Sequence, residues 1–277
     1  MTESILTTYT EGIISRRWPV LIKNFWFDQR PKQQAIPDIA RLHSILRPLE
    51  DARNIESWTI LVDLTKNDSY LLANMNGDTR KQVRRAEREG VHVERFDGRH
   101  ACILEEFDRF FQYFSQSKSE VRGVLKVSVQ MHMLKILADA GMLDVSRAVS
   151  QDGETLVYQL YILAGDRARI HVSASLFREE SNIGNKKFLG RANRYLNWQN
   201  MLYYRQQGYS FFDMGGWYSQ NNDESLLRVN HFKESFGGER VCEYDAIYGC
   251  TPRGRLFLPV QFLYRQSQHV LSRIRSK

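Results

Sequence analysis

Apolar residues recur along this chain with two periods, and their order predicts its elements. Ile103, Leu104, Phe107, Phe110, Phe111 and Phe114 return at spacings of three and four, the mark of an amphipathic helix. Val91-His-Val-Glu-Arg-Phe96 alternates with period two, as a half-buried strand does. Trp58-Thr-Ile-Leu-Val-Asp-Leu64 is a short apolar run rich in β-branched residues, expected of a buried strand. A helix is predicted from Thr79 to Glu89, capped by Asp78 and stopped by Gly90, and another from Ser128 to Ala140, ending at Gly141. Three strands, Leu143 to Val149, Thr155 to Leu163 and Ala168 to Leu176, are joined at Gln151-Asp-Gly153 and Ala164-Gly-Asp166 and so form an antiparallel meander. A long helix from Phe188 to Gln207 follows, then a strand at Tyr209 to Asp213 and a short helix over Glu224 to Glu234. A strand at Arg240 to Ile247 comes next, with a last helix opening at Pro259. This order describes an α+β protein with a mixed sheet. Pro19, Pro31, Pro37 and Pro48 predict an opening rich in turns and short elements, and a subdomain boundary is expected near Asn67 to Gly77, dividing the chain into 1–77 and 78–277.

Composition narrows the class. With 277 residues, 42% hydrophobic and 26% charged, the chain can bury a real core. No apolar run approaches the roughly 20 residues that span a bilayer. Met1 to Thr10 has no basic segment leading into an apolar one, so no signal peptide is expected and a cytoplasmic location is. Cys102, Cys242 and Cys250 are scattered without CxxC spacing, which predicts neither a disulfide framework nor a zinc site, and no metal is expected. The seven histidines are spread singly and read as structural or exposed. Net charge is +7, and Arg253, Arg255, Arg265, Arg273, Arg275 and Lys277 supply six of those charges with no acid among them. Such a basic tail suits solubility, RNA, an anionic partner or peripheral contact with the inner face of an acidic membrane.

Four stretches carry candidate chemistry. On a helical wheel Arg80, Lys81, Arg84, Arg85 and Arg88 form a basic stripe opposite Val83 and Ala86, suited to phosphates or to a solvated face partly neutralised by Glu87 and Glu89. Asn185-Lys-Lys-Phe-Leu-Gly-Arg-Ala-Asn193 opens the long helix after a strand. There small residues would let backbone N–H groups at a helix start approach an anion. Gly208-Tyr-Ser-Phe-Phe-Asp-Met-Gly-Gly-Trp217 is expected to put the Asp213 carboxylate and bare backbone at a strand end. His231-Phe-Lys-Glu-Ser-Phe-Gly-Gly238 sets Lys233 between two phenylalanines and before a glycine turn, either snorkelling or partly buried as an ammonium able to hold an oxyanion.

In this order and spacing, the basic helix from Arg80 to Val91, Gly190 to Gln199, Gly208 to Trp217 and Phe232 to Gly238 resemble the Fem-like branch of the GNAT acyltransferase superfamily, over about Trp58 to Tyr248. The resemblance implies a GNAT-like, mostly antiparallel mixed sheet flanked by helices, with an abbreviated N-terminal subdomain. It implies an N-acyltransferase that moves an acyl group from an acyl-CoA-type thioester to an amine acceptor, such as an envelope or polysaccharide precursor. Lys187, Gly190, Arg191 and Ala192 would hold the carrier's pyrophosphate, since Lys187-x-x-Gly190-x-Ala192 approximates the superfamily's pyrophosphate pattern. Lys233 matches the family's functionally important lysine and would stabilise charge. Asp213 would accept the proton or orient the amine, and Arg80, Arg84 and Trp217 would contact substrate. Two alternatives stand beside this reading: an aminoacyl transferase using charged tRNA, although the chain has no stretch for the helical arm of some Fem ligases, and a non-catalytic binding module.

Overall fold

A computed structural model describes residues 13–17, 20–27, 29, 36–100, 102–116, 127–175 and 183–259. Two compact units emerge, one from residues 1–58 and 242–277, the other Thr59–Val241. This division falls at Trp58/Thr59, ahead of the expected break near residue 77, and the chain's last part is grouped with the first unit.

In the first unit, β1 (Ile13–Arg17) pairs antiparallel with β2 (Val20–Trp26), which runs parallel to β3 (Ile39–Ile45). β3 pairs antiparallel with residues 244–249 of β10 (Glu239–Gly249). Phe25, Ala40, Leu42, Ile45 and Ala246 form one apolar cluster, and Val20, Ile22 and Ile39 form another with Phe257 and Leu258 against it. Phe257 and Leu258 lie on a helix at 252–259, so that helix opens at Pro252 and not at Pro259. The same pre-set φ favours a proline at the first helical position, but it acts seven residues earlier than expected. Most of the basic tail lies outside the described residues.

The second unit is built on β7 (Thr155–Ala164), whose residues Leu156 to Ile162 are all buried. β6 (Leu143–Val149) and β8 (Arg167–Ser175) flank it antiparallel, completing the expected meander. β5 (His92–Asp97) adds antiparallel to β6, and β9 (Phe211–Trp217) adds parallel to β8, with β4 (Arg53–Asp63) beyond it. The sheet is therefore mixed and mostly antiparallel. Both faces of β7 are covered, which explains why its sequence runs apolar without alternating. Tyr158 meets Phe107 and Phe110 of α3 (Ile103–Gln116), and Tyr161 meets Tyr204 of α5 (Ile183–Gln206). Leu189, Ala192, Leu196, Met201 and Tyr204 of α5 join the main core, each large side chain contributing roughly 1.5–3 kcal/mol by burial.

The remaining helices are α1 (Asp68–Asn74), α2 (Gly77–Arg88), α4 (Val127–Asp139) and α6 (Glu224–Glu234). Asn76, not Asp78, caps α2, accepting from the Asp78 backbone N–H at 2.8 Å. Asp223 caps α6 through Ser225 and Leu226.

Gly208 and Gly237 both hold positive φ, at +87° and +80°. A Cβ on Gly208 meets nothing within 4 Å, whereas one on Gly237 would lie 2.5 Å from the Asn74 carbonyl oxygen. Gly208→Ala should therefore cost about 1 kcal/mol, the strain of a left-handed residue alone. Gly237→Ala should cost at least about twice that, because backbone must also move. Urea unfolding of both variants checks this. Equal midpoints would mean that the Asn74 segment yields freely.

Candidate functional site

β9 does not end at Asp213. It runs on through Gly215 and Gly216 to Trp217, so Asp213 sits mid-strand with none of its surface exposed, not at the strand terminus the sequence suggested. Its Oδ1 accepts from Thr59 Oγ1 at 2.5 Å and from the Gly215 N–H at 2.8 Å. Its Oδ2 accepts from Arg167 Nε at 2.7 Å, from Arg167 Nη2, and from Arg169 Nη1 at 3.0 Å. The two arginines are two residues apart on β8, which puts both on one face of that strand. Register pairs Arg167 with Phe211 and Arg169 with Asp213. Burial pushes the Asp213 carboxyl up, but Arg169, Arg167, Thr59 and Gly215 together bring it below its ordinary value. With both oxygens saturated and ionised, Asp213 has no lone pair to offer an amine proton. This cluster anchors β9 against β8.

That anchor shapes the chain beyond it. Gly215 has φ +76°, and a Cβ there would approach the Ile170 carbonyl oxygen to 2.9 Å. α6 docks on this segment through Asn230, Lys233 and Glu234, three residues that share one helical face. The Asn230 side chain accepts from the Tyr218 N–H at 2.9 Å and donates to the Tyr218 carbonyl at 2.7 Å. Lys233 Nζ donates to the Gly216 carbonyl at 2.5 Å. Trp217 Nε1 donates to Glu234 Oε1 at 2.8 Å, and the Arg240 guanidinium lies 4.9 Å from the Trp217 ring centroid. Burial pushes the Lys233 ammonium down from its ordinary 10.5 to about 8; Asp213 opposes this and Arg169 adds to it. Lys233 is thus half-buried and still mainly protonated at neutral pH. In stability terms the ammonium carries a cost below about pH 8 that is relieved as pH rises toward 10.5.

The other expected site residues are placed elsewhere. α5 begins at Ile183, so Lys187, Gly190, Arg191 and Ala192 lie inside the helix and do not open it. Helical N–H groups past the first turn bond to carbonyls four residues back, which leaves none for a phosphate. Arg191 instead grips Glu89 with both nitrogens, at 2.7 and 2.8 Å, and Ala192 is fully buried. Gly184 and Asn185 are weak helix formers, yet burial of Leu189, Ala192 and Leu196 carries the helix through them. Arg80 also has a structural partner set, donating to the Ala73 and Met75 carbonyls at 2.5 Å each. Arg84, Lys81 and Arg88 remain exposed on α2. Sequence reasoning passed over Thr59, Arg167, Arg169, Asn230 and Glu234. The Arg-x-Arg alternation on a buried strand and the 230/233/234 spacing were the available signals.

No protein-family model and no curated protein sequence matches the chain. Among solved structures, FemX aligns over 84% of this chain and 82% of its own, with a TM-score of 0.58 and 14% identity. The chain has a Fem-like, GNAT-related fold. L-PGS from Bacillus licheniformis aligns over 90% of this chain and 82% of its own at TM-score 0.49 and 14% identity. The C-terminal domain of a lysylphosphatidylglycerol synthetase from Agrobacterium fabrum gives 90% and 84% at the same TM-score and identity. Within the Fem-like fold of this chain, Asp213 and Lys233 are brought together at β9, whereas the 187–192 stretch is helix interior. Among the described residues, no group of three or more His, Cys, Asp or Glu side chains is arranged to hold a metal ion. No helix among them is long and apolar enough to cross a membrane.

Asp213→Asn should leave two buried guanidinium groups facing a neutral amide, and so lower stability by roughly 3–5 kcal/mol at neutral pH. Because the folded Asp213 value is depressed, its contribution is complete above about pH 4 and is lost as pH falls through the folded value. Urea unfolding from pH 7 to pH 3 should show the gap between wild type and variant narrowing on the acid side. A variant as stable as wild type at pH 7 would mean that Asp213 does not hold β8 to β9.

Proposed function

We propose that this chain is an acyltransferase that moves an acyl group from an activated carrier to an amine, with Lys233 as the catalytic group. The observation that carries the reading is the half-buried Lys233 ammonium, held at the open end of β9 by the Gly216 carbonyl. It stands on a Fem-like fold at the residue the sequence resemblance singled out. Attack of a neutral amine on a thioester or ester carbonyl builds a negative oxygen, and a preoriented cation beside a desolvated strand end stabilises that charge more in the transition state than in the ground state. Asp213 supports this at a distance, keeping the ammonium charged while being unable to take a proton itself.

The donor is either an acyl-CoA-type thioester or a charged tRNA. The helix interior at 187–192 removes the turn that favoured coenzyme A, while the exposed Lys81, Arg84 and Arg88 on α2 favour a long polyanionic carrier. Incubation with a panel of acyl-CoAs and of aminoacyl-tRNAs, with mixed amines as acceptors, tests the activity. Protein-dependent amide formation is expected from one donor class, and no turnover of either would sink the proposal.

With the donor found, Lys233→Ala should lower kcat about a hundredfold or more. Wild-type kcat/KM should fall above about pH 8 as the ammonium deprotonates. Hydroxylamine as acceptor isolates this limb, since it is already neutral throughout that range. A rate that climbs through pH 8 would make Lys233 a base and not a charge stabiliser.

A further inference from the structure

Arg194 is a half-buried cation whose surroundings supply no countercharge. It lies one turn of α5 beyond Gly190, and its guanidinium carbon sits 5.0 Å from the ring centroid of Phe232, the neighbour of Lys233. Nη1 donates to the Gly190 carbonyl at 3.1 Å. Nε is buried with no acceptor, and among the described residues Nη2 donates to none and the side chain forms no ion pair. The other buried or half-buried arginines of this unit are treated differently. Arg167 and Arg169 reach Asp213, Arg191 reaches Glu89, and Arg147 reaches Glu94 and Glu106. Arg95 satisfies its guanidinium on Asn200 and the Gln199 carbonyl. Burial alone pulls the Arg194 value down, with no charge opposing it.

A guanidinium presents two edges to a planar oxyanion. The side-on edge, Nε with Nη2, matches the spacing of two carboxylate or phosphate oxygens. In Arg194 this is the edge without acceptors, while the third nitrogen and the Phe232 face hold the group in orientation. An unpaired, desolvated charge is costly, and the attraction to the aromatic face returns only about 0.5–2 kcal/mol of it.

We propose that Arg194 is a binding residue for an oxyanion, a carboxylate or a phosphate carried by the substrate, received side-on through Nε and Nη2 next to the Phe232–Lys233 segment. This rests on the transferase reading for its purpose, but not for its test. The oxyanion supplies the acceptors that the fold does not, and so fixes which end of a substrate enters beside Lys233.

The test uses thermal unfolding and calorimetry of the full chain, with succinate and inorganic phosphate as probes. Wild type should be stabilised by at least one of them, and Arg194→Met should lose at least tenfold in affinity for that probe. With no probe present, Arg194→Met should unfold at a temperature equal to or higher than wild type, because an uncompensated charge is replaced by an apolar chain of similar length. Response to succinate alone assigns a carboxylate, and response to phosphate alone a phosphate. Lys233→Ala should keep the probe affinity within about threefold, which separates this site from the fate of the transferase proposal. Two results would each overturn it: probe binding unchanged in Arg194→Met, or a marked loss of stability in that variant without probe, which would reveal a structural arginine.

Discussion

The Asp213 carboxylate holds five donors while buried completely, and much of the second unit depends on that arrangement. A lone carboxylate in such a place would protonate or refuse burial; two guanidinium groups make its ionised form the stable one. The same bonds fasten β9 to β8 in parallel register, where no hairpin turn helps, and bend the chain at Gly215. The position of Gly216 and Trp217, and through them the docking of α6, follows from this cluster.

Pattern alone predicted much of the architecture. The meander β6–β7–β8, α3, α4 and α6 were legible because each buries one regular face, and the turns between them carry glycine or aspartate where the chain reverses. What escaped was context. α5 starts five residues before its predicted start because Gly184 and Asn185 are weak helix formers, whose local preference loses to the apolar side chains packed further along. β9 outruns its predicted end for the same kind of reason: two glycines read as a turn, but one of them is needed where the backbone passes close to Ile170. The opening segment was expected to hold turns and short elements; β1 precedes Pro19, and β2 and β3 occupy spaces between the prolines that follow.

At the candidate site, residue types were legible and roles were not. Asp213 and Lys233 were singled out; the first lies inside β9, and the second lies on α6 with its Nζ bonded to the Gly216 carbonyl of β9. The expectation that Asp213 accepts the proton or orients the amine assumed an accessible carboxylate, whereas the side chain is fully buried, and a single sequence does not display exposure. Its two arginine partners lie more than forty residues away, and nothing local announces them. Arg191 and Ala192 matched a pattern in the sequence, while in the structure their neighbours are Glu89 and the core.

Lys233 is the instructive remainder. α6 has enough other fastenings to hold its place without it. Asn230 exchanges two bonds with Tyr218, Glu234 receives the Trp217 indole, Phe236 is buried in the core, and Ser235 and Gly237 are bonded to Thr79 and Asn74. Against that background, the bond from Lys233 to the Gly216 carbonyl adds little to docking, while burying the ammonium costs enough to bring its proton affinity to about 8. A neutral glutamine or methionine at this position would pack with less penalty. A charge kept where it is structurally redundant and energetically unfavourable is what a site organised around developing negative charge requires, and that imbalance is the physical ground for proposing that this lysine carries the chemistry.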